Sequence, residues 1–256
     1  MFGEIAELYD RYRPAYPDRL VDDLVELAGL EVGQPVLEVG AGTGKATAMF
    51  AARKLSVVAV EPSTEMAAVA RRSCSAYPGV VVEESDFEDW DRARREFQLL
   101  FSAQAWHWVA PEVRYERARA ALCRNGLLAV FWNRPVWRRS DLREALAVVY
   151  EEVAPKLAAD APMHPANLCP DAEEDWEGEL AAVDGFTDAE VRYYDWGRAY
   201  SAETYCGLLR STSEIQLLEE KRRGALIEAV IAVIEAHGGY MALPLATRLC
   251  LARRAD

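Results

Sequence analysis

The stretch VLEVGAGTGKAT, residues 36–47, decides how the rest of the chain is read. A short apolar run (Val36, Leu37, Val39) leads into glycines at every second position, Gly40, Gly42 and Gly44. A segment of helical spacing follows through Met49, Phe50 and Arg53. That order predicts a buried strand, a turn too tight for a Cβ, and a helix whose first amides face the turn. Such a turn brings backbone into contact with a flat or charged small ligand. A dinucleotide site asks for G-x-G-x-x-G, but here the sixth place is Lys45 and the third glycine comes one residue early. A P-loop asks for Ser or Thr after Gly-Lys and for a longer loop, whereas Ala46 follows Lys45. Glu38, just ahead of the turn, would repel a pyrophosphate. Both phosphate readings weaken.

Working outward, SVVAVEP (56–62) predicts a second strand ending in Glu61. That carboxylate stands about twenty residues beyond the first glycine, where a ribose diol is held in nucleotide-binding α/β domains. It can accept from both hydroxyls; the alternative is that it only caps the helix starting near Ser63. A third run, VVVEESDF (80–87), ends with Asp86 and Phe87. An acceptor beside an aromatic suits an adenine, through its exocyclic amine and its ring face; a plain loop is the other reading.

The motifs LEVGAGTG, the acid of VVAVEP, and SDFEDW resemble, in that order, those of the class I S-adenosylmethionine-dependent methyltransferases, over about residues 3 to 135. AELYDRYRPAYP near the start and SAQAWHWV after the fourth strand resemble the small-molecule branch typified by trans-aconitate and ubiquinone-pathway methyltransferases. The resemblance implies S-adenosylmethionine as cofactor, held by Glu38, Gly40, Ala41, Gly42 and Gly44 around the turn. It also implies contacts from Glu61, Pro62 and Met66 after the second strand and from Asp86 and Phe87 after the third. Gln104 and Ala105 would touch the methionine part through backbone groups.

Methyl transfer from a sulfonium is an in-line displacement, so alignment is the enzyme's main task. A base is needed only if the acceptor must lose a proton. His107, in AQAWHW, is the candidate base, since an imidazole titrates near neutral pH; the other reading is a ring packed between Trp106 and Trp108. The tryptophans either wall the cofactor or fill the core. Tyr9 and Arg13 stand four apart, on one helix face. Arg13 is expected to pair with the cofactor carboxylate, and Tyr9 or Tyr12 to close over the sulfonium by a cation–π contact. An ion pair of Arg13 with Asp10 or Glu7 is the alternative. Tyr12, Trp108, Asn133 and Arg134 are the candidate substrate residues, with His164 and Arg210 as weaker ones. If Arg134 and Arg210 both face the pocket, a carboxylate-bearing acceptor is suited, because guanidinium grips carboxylate bidentately.

The bulk properties narrow the partners. The chain has 256 residues, 51% of them hydrophobic, which suits one α/β domain with an inserted cap. Its net charge of −13, from 29 basic and 42 acidic side chains, argues against nucleic acid. The five cysteines are scattered, with no C-x-x-C, so reduced cytosolic thiols are expected and no metal site. No run approaches a membrane span and no signal peptide opens the chain, so the expectation is a cytoplasmic protein, monomer or homodimer, off the membrane.

Helices are expected over 4–13 and 17–29, broken by Pro14 and Pro17 and lying over the cofactor. Strands are expected at 35–40, 56–61, 79–84, 97–103 and 127–132, with helices at 44–53, 64–76 and 111–123 between them. Strand–helix alternation predicts an α/β fold, a doubly wound Rossmann-like sheet. Residues 136–182 break the alternation, and leaving from the end of the fifth strand they are read as a cap over the substrate mouth. A strand at 189–196, helices at 201–210 and 214–237, and a last strand at 240–251 follow; the resemblance implies a mostly parallel sheet whose last strand is antiparallel. The whole is read as a single domain that transfers a methyl group from S-adenosylmethionine to a small organic acceptor. A nicotinamide-dependent oxidoreductase and a non-catalytic S-adenosylmethionine-binding module are the alternatives.

Overall fold

Apolar runs of strand length, each followed by an amphipathic segment, fold as the spacing predicts. The computed structural model describes residues 2–157, 159, 161, 163–168 and 175–255. Two helices come first, α1 (Phe2–Tyr12) and α2 (Asp18–Leu27), with Pro17 as the N-cap of α2. Then come β1 (Pro35–Val39), α3 (Lys45–Ala52), β2 (Ser56–Val60), α4 (Thr64–Ser73), β3 (Val80–Glu83) and β4 (Phe97–Ala103). The chain continues through α5 (Arg114–Ala121), β5 (Leu122–Pro135), α6 (Arg143–Val153), α7 (Trp176–Ala182) and β6 (Phe186–Ser201). It closes with α8 (Ala202–Arg210), α9 (Ser213–Gln216), α10 (Glu220–Ala236) and β7 (Tyr240–Arg254).

The seven strands form one sheet in the order β3-β2-β1-β4-β5-β7-β6. The pairs from β3 to β5 are parallel, and β7 runs antiparallel to both β5 and β6. The fold is thus the Rossmann-like α/β sheet, mostly parallel, with an antiparallel last strand. Strand period two sends alternate side chains to opposite faces. Val36, Leu99, Phe101, Leu127, Ala129 and Phe131 pack on one face with α2 and α3. Leu37, Val39, Leu100, Leu128, Val130 and Trp132 pack on the other with α5 and α7. A third apolar cluster joins α6, α8 and α10 to the far ends of β6 and β7, through Leu146, Tyr150, Tyr205, Val230 and Met241.

Several boundaries differ from the sequence reading. β5 starts at Leu122 rather than 127, because Leu122 is extended (φ −85°, ψ 146°) and pairs with Phe97, shortening the helix before it. The expected helix over 214–237 is two helices, broken where Glu219 is extended (ψ 138°) ahead of α10. β6 and β7 are antiparallel neighbours, but three helices join them and not a hairpin turn. Within 136–182, α7 was not foreseen; its Trp176 stacks on Trp132 with centroids 5.0 Å apart, so tertiary packing seats that helix. Pro162, Cys169, Pro170 and residues 171–174 lie outside the described residues.

Candidate active site

A cavity of about 190 Å³ opens where β1, β2 and β4 end at their carboxyl edges. Its floor is the glycine turn. Gly40 has φ +71°, and a Cβ built there would stand 2.3 Å from that of Ala105. Gly42 has φ +57°, yet a Cβ built there meets nothing within 4 Å. The first glycine therefore serves close packing of β1 against the segment after β4. The second keeps a cavity wall bare.

Glu61, at the end of β2, is buried and lines this cavity. Its Oε2 accepts from the Gly42 amide at 2.7 Å and its Oε1 from the Ser63 amide at 2.9 Å. Each carboxylate oxygen keeps a second acceptor direction. The acid thus tethers the helix start, as the capping reading expected, and still faces the cavity. Burial pushes its pKa up, the two amides pull it down, and Asp86 raises it again. Glu38 lies deeper, 1% exposed, accepting from the Thr47 hydroxyl. Burial raises its pKa to about 8, against the Thr47 hydrogen bond and with a further push from Glu61.

Lys45, which spoils the dinucleotide pattern, lines the cavity and donates through Nζ to the Asp10 carbonyl on α1. Burial lowers its pKa, partly offset by Asp10. Arg72 on α4 pairs with Glu7 at 2.7 Å, so α1 is held from two sides. A third hold comes from Arg13, whose Nε donates to Ser211 Oγ at 3.0 Å and Nη2 to the Ser211 carbonyl at 3.2 Å. The guanidinium sits 5.2 Å from the Tyr9 ring centroid. Arg13 is therefore bonded to α8's end and not to Asp10 or Glu7.

A second cavity, of about 520 Å³, adjoins the first and shares Tyr9, Arg13, Met66, Gln104 and Trp108 with it. Gln104 stands at this junction with φ +63°, a left-handed conformation costing a non-glycine residue about 1 kcal/mol or more. Its side chain accepts from Arg134 Nη1 at 3.3 Å and donates to the Asn133 carbonyl at 3.4 Å. Trp108 is 78% exposed at the shared rim, with Leu217, 87% exposed, on the second cavity's border. His107 lines the second cavity; its Nδ1 accepts from Trp132 Nε1 at 3.3 Å, and its ring lies 4.9 Å from that of Trp108. It is not packed between Trp106 and Trp108, since Trp106 is fully buried in the core.

The structure brings Tyr9, Arg13, Glu38, Gly40, Ala41, Gly42, Glu61, Met66, Gln104, Ala105 and Trp108 to one cavity and His107, Asn133 and Arg134 to the next. Other expected positions lie outside the cavities or are taken up in packing. Tyr12 lines neither; its ring covers Gly207, where an added Cβ would meet it at 2.5 Å, so it packs α1 on α8. Phe87 is a core residue, 4% exposed, with its ring 6.2 Å from Trp90 and 6.3 Å from Trp106. Pro62 and Asp86 are exposed beside the Glu61 end and line neither cavity. Gly44 underlies the turn against Ala70 and Cys74 rather than lining it. Asn133 borders the second cavity, but its amide donates to the Ala15 carbonyl at 2.8 Å and accepts from Thr247 at 2.6 Å. Both ends of that side chain hold structure. Arg210 is exposed and borders neither cavity, and His164 is buried beside Tyr150.

Sequence reasoning missed Tyr16, Thr43, Ser211 and Glu214. Thr43 lay inside the quoted motif and was within reach. Ser211 and Glu214 arrive from helices packed by the third apolar cluster, which no local pattern announces.

The glycine turn, the buried acid one strand over and the sheet order together define a Rossmann-like α/β domain with a cavity at the carboxyl ends of its strands. Residues 36–126 match the sequence model described as the methyltransferase domain. The chain is similar to an uncharacterized methyltransferase of Mycobacterium tuberculosis, 36% identical over 143 residues; the match spans 56% of this chain and 56% of that protein. It therefore spans little more than half the length of that relative. A structure from Anaeromyxobacter dehalogenans assigned as a type II methyltransferase shares the fold, with TM-score 0.67 and 21% identity over 95% of this chain and 98% of that one. So does a phosphoethanolamine N-methyltransferase of Haemonchus contortus bound to phosphomonomethylethanolamine and S-adenosylhomocysteine, with TM-score 0.56, 16% identity, and coverage of 98% and 57%. No described helix is long and apolar enough to cross a membrane.

Proposed function

We propose that the chain transfers a methyl group from S-adenosylmethionine, held in the first cavity, to a small organic acceptor in the second. The observation that carries this is the shared wall: Tyr9, Arg13, Met66, Gln104 and Trp108 border both spaces, so a donor atom and a nucleophile can meet at their junction. When bound, the cofactor supplies a methyl group activated by its positive sulfur. The residues present suit it. Bare backbone at Gly42 accepts close approach, Glu61 has acceptor directions left for a diol, and Glu38 lies where a cationic ligand would favour its ionised form. The first cavity is smaller than the 300–1,000 Å³ typical of sites enclosing a whole drug-sized ligand. We assign it the amino-acid and ribose parts, with the purine toward exposed Pro62 and Asp86.

Residues 136–182 act as a cap in this reading, supported by Met163 of that segment, which lines the second cavity. The acidic net charge supports a small molecule over a nucleic acid. We place the acceptor among those of the small-molecule branch, taken as a class; its nucleophile is O, S, N or C.

Calorimetry with S-adenosylmethionine and S-adenosylhomocysteine, followed by a labelled-methyl screen of small acids, phenols, thiols and amines, tests this. Micromolar binding of both and label transfer to at least one acceptor are expected; binding of NAD(P)H instead would replace the reading. Arg13→Ala is expected to weaken cofactor binding roughly tenfold or more, since it loses a charged hydrogen bond. Arg72→Ala breaks only an ion pair whose partners are 59% and 58% exposed, and is expected to change it less than about threefold. Equal effects would show that Arg13 acts only by seating α1.

A further inference from the structure

We infer that Lys45 is a positioning residue: it ties the last turn of α1 to the start of α3, and so sets Tyr9 and Arg13 on the wall that the two cavities share. Lys45 is the first residue of α3, directly after Gly44, and no acidic residue stands in that helix's first turn. A cation there faces the positive end of the helix dipole and is disfavoured by its own helix. Its ammonium is turned instead to α1. Nζ donates to the carbonyl of Asp10 and lies 3.8 Å from the Asp10 carboxylate. Asp10 is in the last turn of α1, where a carbonyl's helical partner would be the amide four residues on. For Asp10 that residue is Pro14, which has no N–H. Lys45 supplies the donor that proline withholds, and does so at the negative end of α1, where a cation is favoured. Tyr9, one residue before Asp10, and Arg13, three after it, border both cavities. The other holds on α1 are weaker candidates for placing them. The Arg72–Glu7 pair is more than half exposed on both sides and contributes little. Arg13, bonded to Ser211, is itself one of the groups being placed. The lysine that stands where a dinucleotide site has its third glycine thus answers to α1 and not to a phosphate.

The link to the cofactor rests on the proposed function, but the tie itself can be read without any ligand. The Arg11–Tyr12 bond lies in the last turn of α1, so trypsin cuts it only when that turn opens, and the rate of the cut follows the open fraction. K45M is expected to speed the cut after Arg11 about tenfold, the usual cost of losing a hydrogen bond from a charged donor, with cuts elsewhere in the chain unchanged. K45R keeps a charged donor and is expected to stay within about threefold of the unaltered protein. A cut after Arg11 no faster in K45M, or as fast in K45R as in K45M, overturns the inference. If K45M melts early and is cut faster at every site, K45Q takes its place, with the same expected and overturning results. Calorimetry with S-adenosylhomocysteine then reads the positioning. K45M is expected to bind it about tenfold more weakly, and R13A to add less than about threefold to that loss, because Arg13 is already out of place. Losses that multiply in full would mean that Lys45 touches the ligand itself, and overturn the positioning role. If the unaltered protein binds neither S-adenosylmethionine nor S-adenosylhomocysteine, the proposed function fails, and the trypsin cut alone still upholds or overturns the hold of Lys45 on α1.

Discussion

Alanine at Gly42 is expected to leave the protein folded and to weaken the proposed binding of S-adenosylmethionine about thirtyfold, whereas alanine at Gly40 is expected to destabilise the fold severely. The two residues stand two apart in one turn, both left-handed, and differ in what a methyl group would meet. At Gly42 the built Cβ touches nothing within 4 Å, so the cost to the fold is the left-handed conformation alone, about 1–2 kcal/mol. The added carbon enters the space where the ligand must approach backbone. Overpacking by one carbon there costs roughly 2 kcal/mol or more, a loss of about thirtyfold in affinity. At Gly40 the same carbon would stand 2.3 Å from Ala105 Cβ, and relieving that overlap means separating β1 from the segment after β4. The strain and the overlap together cost on the order of 3–5 kcal/mol, a large part of a domain's stability. Thermal melts and calorimetry on the two variants separate the outcomes. A Gly42→Ala protein that melts normally and binds the cofactor unchanged would mean that the turn is punctuation only.

That contrast also marks how far the sequence could be read. The strand, turn and helix around residues 36–47 were legible because they rest on local rules: apolar period, glycine at left-handed positions, and an acid at the end of the next strand. Glu61 was legible for the same reason, and its dual use by Gly42 and Ser63 is what one carboxylate with several acceptor directions can do. The failures share a different cause. Phe87 sits at a strand end where an adenine could stack, but the aromatic cluster with Trp90 and Trp106 takes its ring into the core. Asn133 follows β5 as expected, yet Ala15 and Thr247, 118 and 114 residues away, occupy its amide. Tyr12 was expected at the substrate, but the docking of α1 on α8 lays its ring over Gly207. Each of these was decided by a partner that no local pattern contains. Trp132 is the extreme case: nothing in LLAVFW announces an indole aimed at a histidine on another strand's end.

Glutamine at Glu38 is expected to stabilise the empty protein above neutral pH and to remove a pH dependence from cofactor binding. Glu38 is buried under the turn, and the loss of water raises its pKa to about 8, more than the Thr47 hydroxyl can offset. In the unfolded chain the carboxyl ionises near its ordinary value of 4.5. Between these two values the unfolded state has released a proton that the folded state retains, so folding stability falls as pH rises from about 4.5 to 8. At pH 7 the accumulated penalty is roughly 3 kcal/mol. An amide keeps the acceptor for Thr47 and never ionises, so Glu38→Gln should melt like the unaltered protein near pH 4.5 and above it by several degrees at pH 8. Binding should run the other way. The cofactor brings a positive sulfur and a positive amino group, which favour the ionised carboxylate. The cofactor's own amino group also titrates near pH 8, so the informative quantity is the ratio of the two proteins' affinities, in which that titration cancels. The ratio is expected to rise in favour of Glu38 by about tenfold between pH 6.5 and 9, with a proton released on binding at pH 7. A ratio flat across that range would mean that Glu38 keeps its proton when the ligand arrives, and serves only to anchor Thr47 beneath the turn.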